Sequence, residues 1–160
     1  MKIYFAADHA GFELKNTLLA YVRDELGYDV EDCGAFTFDE TDDYPDWVSK
    51  ASEYVAREPE DSRAIIIGAS GQGEAMAANR FKGVRAAVFY GDGSGLQTDI
   101  KGNQFDILES TRKHNDANVL SLGARFISIE IAKRAVAKWL ETDFNEDERH
   151  KRRINKLDVE

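Results

Sequence analysis

The first residue in this 160-residue chain whose type and position could do chemistry is Glu74. Residues 64–79 read AIIIGASGQGEAMAAN: a β-branched apolar run, then Gly68, Gly71 and Gly73, then strong helix formers from Glu74 onward. A buried strand, a glycine turn and the free N–H groups of a helix start make a setting for an anion. Gly68 to Gly73 even has the spacing of a phosphate loop, but Glu74-Ala75 stands where that loop needs lysine and Ser/Thr. A carboxylate there would repel nucleotide phosphates, and the dinucleotide fingerprint G-x-G-x-x-G is absent. It suits a different reaction, in which a base takes a proton from carbon beside a carbonyl while loop amides hold the oxyanion. Glu74 could equally be a first-turn residue that complements the helix dipole, and spacing alone leaves both readings open.

Three other groups carry possible chemistry. Asp8-His9 follows an apolar run, where it is either a turn with a helix N-cap or part of a ligand edge. His114 and Asn115 open the polar cluster HNDAN, a turn by composition, with the histidine a candidate acid. Arg149 and Arg153 are i,i+4 on a basic stretch, so both guanidinium groups can project from one helix side toward a phosphate, or simply into solvent. The histidines have no matching cysteine or carboxylate spacing, so no metal site is expected. Cys33 is the single cysteine, which excludes an internal disulfide and suits a reducing, cytoplasmic compartment. The formal net charge of −9 argues against nucleic acid as a partner, and no apolar run is long enough for a membrane span.

The elements needed to position these residues follow from periodicity. Residues 2–7 predict a first buried strand, and Leu14, Leu18, Val22 and Leu26, with Leu19, mark an amphipathic helix with Gly27 as its C-cap. Residues 28–33 predict a short edge strand, 36–43 an acidic loop, and Tyr44-Pro45 the start of a second helix with Trp47, Val48, Ala51, Tyr54 and Val55 on one face. Strands are expected at 64–67, 84–89 and 119–122, with a looser glycine-punctuated stretch over 90–113. A helix then buries Ile131, Ala132, Ala135, Val136, Trp139 and Leu140, and a last helix covers about 146–156. Alternating strands and helices imply one α/β domain over residues 1–160, a Rossmann-like three-layer α/β/α sandwich with a five-stranded parallel sheet. Its ligand site is expected beyond the carboxyl ends of strands one and three.

Taken in order, Asp8-His9-Ala10-Gly11-Phe12, Asp43-Tyr44-Pro45, Gly68 to Glu74, His114 to Leu120, Gly123-Ala124-Arg125 and Arg149-His150-x-x-Arg153 resemble the ribose/galactose isomerase family. The resemblance runs over nearly the whole chain, on the side of the type B ribose-5-phosphate isomerases rather than the galactose-6-phosphate isomerase subunits. It implies a cofactor-free aldose–ketose isomerisation of ribulose 5-phosphate and ribose 5-phosphate through a cis-enediolate. Some members carry a cysteine base at the position of Gly68; here the matching base is Glu74. His114 would be the acid that opens the furanose, Asp8, His9 and Asn115 would hold the sugar, and Ala69, Ser70, Gly71, Gln72 and Gly73 would form the anion hole. Arg125, Arg149 and Arg153 would hold the phosphate and Tyr44 would wall the pocket. The family's site lies between two subunits, which implies a homodimer, or a tetramer of such dimers, with the C-terminal helix reaching the partner. The connection over 91–113 looks about a dozen residues longer than is usual, so another sugar phosphate (tetrose or hexose) is an alternative substrate. A sugar-phosphate-binding protein without turnover is a third reading, against which the joint presence of Glu74 and His114 weighs.

Overall fold

The computed structural model describes residues 1–91 and 95–158. Its elements, in chain order, are β1 (Lys2–Ala7), α1 (Phe12–Asp24), β2 (Asp29–Asp32), α2 (Tyr44–Arg57), β3 (Ser62–Gly68), α3 (Gln72–Ala78) and β4 (Ala86–Phe89). They continue with β5 (Leu96–Thr98), β6 (Gln104–Asp106), α4 (Ile107–Asn115), β7 (Val119–Gly123), α5 (Ile129–Glu141) and α6 (Glu148–Ile154). Five strands form one parallel sheet in the order β2-β1-β3-β7-β4, the architecture expected from sequence.

Side chains of a strand alternate between faces, and here both faces are covered. Ile3, Phe5, Ile65, Ile67, Leu120 and Leu122 pack with Leu14, Leu18 and Val22 of α1 and with Ala132, Val136 and Trp139 of α5. Tyr4, Ala6, Ala64, Ile66 and Val119 pack on the other side with Val48, Ala51 and Val55 of α2 and Ala78 of α3. Strand β3, completely buried, lies between β1 and β7 at the centre. The chain turns one way from β1 to β2 and the other way from β3 to β7, so the switch point lies between β1 and β3.

Four local expectations are corrected. Within the expected loose stretch over 90–113, residues 96–113 are ordered into elements: β5 and β6 form an antiparallel hairpin, and α4 follows directly. The Asp99 carboxylate ties the hairpin turn by accepting from the N–H groups of Lys101 and Asn103, each at 2.8 Å. Asp106 then starts α4 through a reciprocal capping box with Glu109, a signal that the glycines of the preceding stretch obscured. Residues 92–94 lie outside the described residues. Secondly, His114 and Asn115 are not in a turn entering a strand but end α4. Thirdly, α1 stops before Leu26; its C-cap is Glu25, and Gly27 supplies its positive φ of 76° two residues later. Lastly, Asp8 does not cap α1. Gly11 holds the N-cap position, while Asp8 Oδ1 accepts from the Ala10 and Gly11 N–H groups in the turn just before it.

Candidate active site

The loop after β3 is held open by its own backbone. Gly71 has φ 77°, a left-handed conformation that favours glycine, and its carbonyl accepts a 2.7 Å hydrogen bond from the buried Ser121 hydroxyl of β7. From there α3 begins and carries Glu74 inward, leaving it 4% exposed. The Glu74 carboxyl lies against Gly68 so closely that a methyl group on that glycine would overlap Oε1. The two base positions that the family resemblance sets apart in sequence are thus one place in space. Burial raises the Glu74 pKa above the ordinary glutamate value; the Asp8 charge adds to this, and the N–H groups of Glu74 and Gly71 oppose it. Cys33 is buried and pushed up to about 12 by desolvation, which leaves a thiol rather than a nucleophilic thiolate.

Around Glu74 stand groups from the ends of three strands and the start of α2. Asp8 is buried after β1, and His9 follows, half-buried. Tyr44, the first residue of α2, packs its ring against Gly73, where a Cβ would come within 2.9 Å of the ring carbon Cζ and of the hydroxyl. Ala69, Ser70 and Gln72 complete the loop, the Ser70 hydroxyl accepting from the Gln72 N–H at 3.3 Å. Arg125 follows β7 with an exposed side chain, its N–H bonded to the Ala69 carbonyl at 3.1 Å and its charge felt by His9. Asp8, His9, Tyr44, residues 69–73, Glu74 and Arg125 are therefore brought to one sheet edge, the carboxyl edge.

The other expected residues are not. His114 and Asn115 sit just ahead of β7, on the amino edge. Asn118, three residues past Asn115, binds the Gly83 carbonyl ahead of β4 there, at 2.8 Å. Five residues of β7 separate the edges, roughly 16 Å at about 3.3 Å per residue. The His114 ring stacks on His150 of α6, with centroids 4.5 Å apart and planes at 10°, and meets the edge of Phe105 at 5.3 Å. Arg149 points its Nη2 at His150 Nε2 (3.1 Å), and Arg153 is exposed on the next turn of α6. Desolvation lowers the His114 pKa; Arg149, Lys113 and Arg153 add to this and Asp99 opposes it. His114 Nε2 and Arg149 Nε are buried and unpartnered among the described residues. No hydrogen bond, ion pair or ring contact among these residues joins this group to the Glu74 group.

Sequence reading missed Asp42, Ser121, Phe105 and His150 as site neighbours. Asp42 lay inside an acidic loop with nothing to set it apart from Asp39 or Asp43. His150 was visible in the basic stretch, but without its stacking partner. Asp8, His9 and Asp42 each offer a ligand atom within 4.8 Å of the others. The Asp42 oxygens already accept from three N–H groups, and those hydrogen bonds account for the cluster.

A buried carboxylate with a raised pKa, set among backbone amides at a switch point, is an arrangement suited to moving protons on a small polar substrate. The chain belongs to the ribose/galactose isomerase family, whose sequence profile matches residues 3–157. Ribose-5-phosphate isomerase B of Escherichia coli is 35% identical over 156 residues, 98% of this chain and 93% of that protein. The protein of that name in Mycolicibacterium paratuberculosis is 34% identical over 157 residues, 98% of this chain and 89% of its own. Among solved structures, ribose-5-phosphate isomerase B of Mycoplasma genitalium with bound ribulose-5-phosphate superposes with TM-score 0.85 at 31% identity, covering 98% of this chain and 93% of that one. The Thermotoga maritima enzyme gives TM-score 0.81 at 36% identity, with 98% and 97% covered.

Proposed function

We propose that this chain is an aldose–ketose isomerase that interconverts ribulose 5-phosphate and ribose 5-phosphate. The observation that carries the reading is the buried Glu74 carboxylate, held against Gly68 at the mouth of β3 with a raised pKa. In this reading Glu74 takes the proton from the carbon beside the carbonyl. The electron pair moves into a cis-enediolate, whose oxyanion the amides of residues 69–73 receive. Protonated Glu74 returns the proton to the neighbouring carbon while the hydroxyl proton passes from the oxygen that becomes the new carbonyl to the enediolate oxygen that becomes the new hydroxyl, so nothing is consumed and no redox partner is needed. Asp8, His9 and Asn115 hold hydroxyls, Arg125, Arg149 and Arg153 hold the phosphate, Tyr44 bounds the pocket, and His114 carries the proton that opens the furanose.

The reading requires two copies of the chain. His114, Asn115, Arg149 and Arg153 stand at the amino edge of their own sheet, so they reach Glu74 only from a second protomer, and a symmetric homodimer then has two shared sites. Unpartnered polar atoms on His114 and Arg149 support an α4–α6 corner that completes its contacts elsewhere. Apolar side chains exposed near the carboxyl edge, including Phe36, Phe38, Tyr90 and Phe126, support the same arrangement.

The test is Glu74→Gln. We expect exchange of the substrate C2 proton with solvent deuterium to fall by at least about 100-fold while phosphate binding persists; retained isomerisation would overturn the assignment. The β5–β6 hairpin favours keeping a second substrate in view, because Gln97 and Phe105 adjoin His114. An NMR assay of tetrose, pentose and hexose phosphates decides between them, and a clear preference for a non-pentose would replace the substrate but not the reaction.

A further inference from the structure

Asp42, in the loop between β2 and α2, is 33 residues from His9 and touches it twice. Its Oδ1 accepts from the His9 backbone N–H at 2.9 Å and from ring Nδ1 at 2.8 Å. Its Oδ2 accepts from the Trp47 indole N–H at 2.9 Å. The Asp42 side chain is 9% exposed, and His9 is its only charged partner among the described residues. Trp47 is itself fixed in α2, edge-on to Phe36 at 6.0 Å and with the Lys50 ammonium 4.5 Å from its ring. A rigid carboxylate at Nδ1 puts a proton on that nitrogen and leaves Nε2, which makes no hydrogen bond among the described residues, as the group offered to a ligand.

We propose that Asp42 is a positioning residue which holds His9 as an imidazolium with its Nε2–H turned to the substrate, so that this edge supplies a pH-dependent cation to an anionic sugar phosphate. The proposal rests on the isomerase reading of the site. Four charged groups face the ring: Asp42 and Asp39 from the 36–43 loop, Asp8 after β1 with Oδ2 4.0 Å from Nδ1, and Arg125 after β7. The Asp42 hydrogen bond is the largest influence and raises the His9 pKa; desolvation opposes it, the Asp8 and Asp42 charges add to it, and Arg125 works against it. Because the pKa is raised, the charge is present at low pH and disappears as pH climbs through that pKa. Without the Asp42 charge it disappears earlier. His9 and Arg125 repel one another, and a phosphate held by Arg125 relieves that repulsion, which ties the His9 charge to ligand affinity.

Asp42→Asn keeps the shape and removes the charge. We expect the histidine titration of the full chain, followed by NMR, to show a His9 midpoint above 6.5 in the native protein and a lower one in the variant. The KM for ribose 5-phosphate, as a ratio of variant to native, should be close to one at pH 6 and rise several-fold by pH 8, with kcat changing less. Ionisation of the substrate phosphate is common to both proteins and cancels in that ratio. In a His9→Gln background, Asp42→Asn should add nothing to KM. A native midpoint at or below 6.5, a midpoint that Asp42→Asn does not move, or a KM ratio that is flat with pH overturns the proposal. The native titration needs no variant, so poor folding of Asp42→Asn does not remove the test. Absence of any turnover by the native protein would instead sink the isomerase reading, leaving the titration to judge the pairing of Asp42 with His9.

Discussion

As the proposed base, Glu74 must be ionised to accept a proton and poorly solvated to want one, and its surroundings trade these demands against each other. Burial destabilises the carboxylate, whereas the N–H groups of Gly71 and Glu74 favour it. The sign is that of an acid with a raised pKa: the protonated form dominates to higher pH than usual, and base catalysis appears only above it. We therefore expect the acid limb of kcat against pH to have its midpoint above 4.5, and that limb to be lost in Glu74→Gln. Gly68 sets where the carboxylate lies. In Gly68→Ala the added methyl displaces it, and kcat should fall by about 100-fold with the circular dichroism spectrum unchanged, since a displacement of about 1 Å at a reacting group has that effect. An undiminished kcat would show that the carboxylate finds an equivalent position.

At the scale of elements, α4, α5 and α6 fix the second half of the proposed site. Trp139 of α5 is completely buried, with Arg63 and Arg112 guanidinium groups 5.3 and 5.8 Å from its ring centroid. Trp139→Ala removes the largest buried side chain of the core and should cost about 3–5 kcal/mol, read as an earlier midpoint in denaturant unfolding. The His114–His150 stack joins α4 to α6 and gives a pH dependence of its own. Desolvation lowers both histidine pKa values, and the Arg149 and Arg153 charges add to it at each ring, with the His114 charge adding at His150. A base with a lowered folded pKa binds fewer protons when folded, so its contribution is complete above 6.5 and is lost as pH falls from there through the lowered folded pKa. The unfolding temperature should drop between pH 7.5 and 5.5, and drop less in His150→Phe, which keeps a stacking ring but cannot be protonated. Equal drops in both proteins would mean that carboxylates elsewhere control the acid response.

For the whole molecule, the decisive relation is that Glu74 and His114 occupy opposite edges of one sheet. If two copies share each site, Glu74→Gln and His114→Asn protomers are each defective as homodimers, yet a mixed dimer contains one site with both groups intact. Equal mixing after dissociation and reassociation should restore about a quarter of native activity, since half of the dimers are mixed and each has one good site of two. A mixture no better than the mean of its parents would exclude shared sites. The result is read against the mass of the assembly, which separates failed exchange from failed complementation.

The sequence by itself determined the order of the five sheet strands along the chain and of α1, α2, α3, α5 and α6, the parallel sheet and the identity of the carboxyl-edge loops, but not β5, β6 and α4. These follow from local periodicity: β-branched runs buried on both faces, amphipathic stripes, and glycines where a helix starts close to a strand end. It also singled out Glu74, because a carboxylate in a phosphate-type loop is a local misfit. Only the tertiary structure decided that the Gly68 and Glu74 positions meet in space, that Asp42 grips His9 across 33 residues, and that His114 ends a helix stacked on His150. Such contacts depend on loop paths and helix docking, which leave no period in the chain. The same holds for the gap between Glu74 and His114. In sequence both are simply residues flanking strands, and strand polarity together with sheet order sends them to opposite edges.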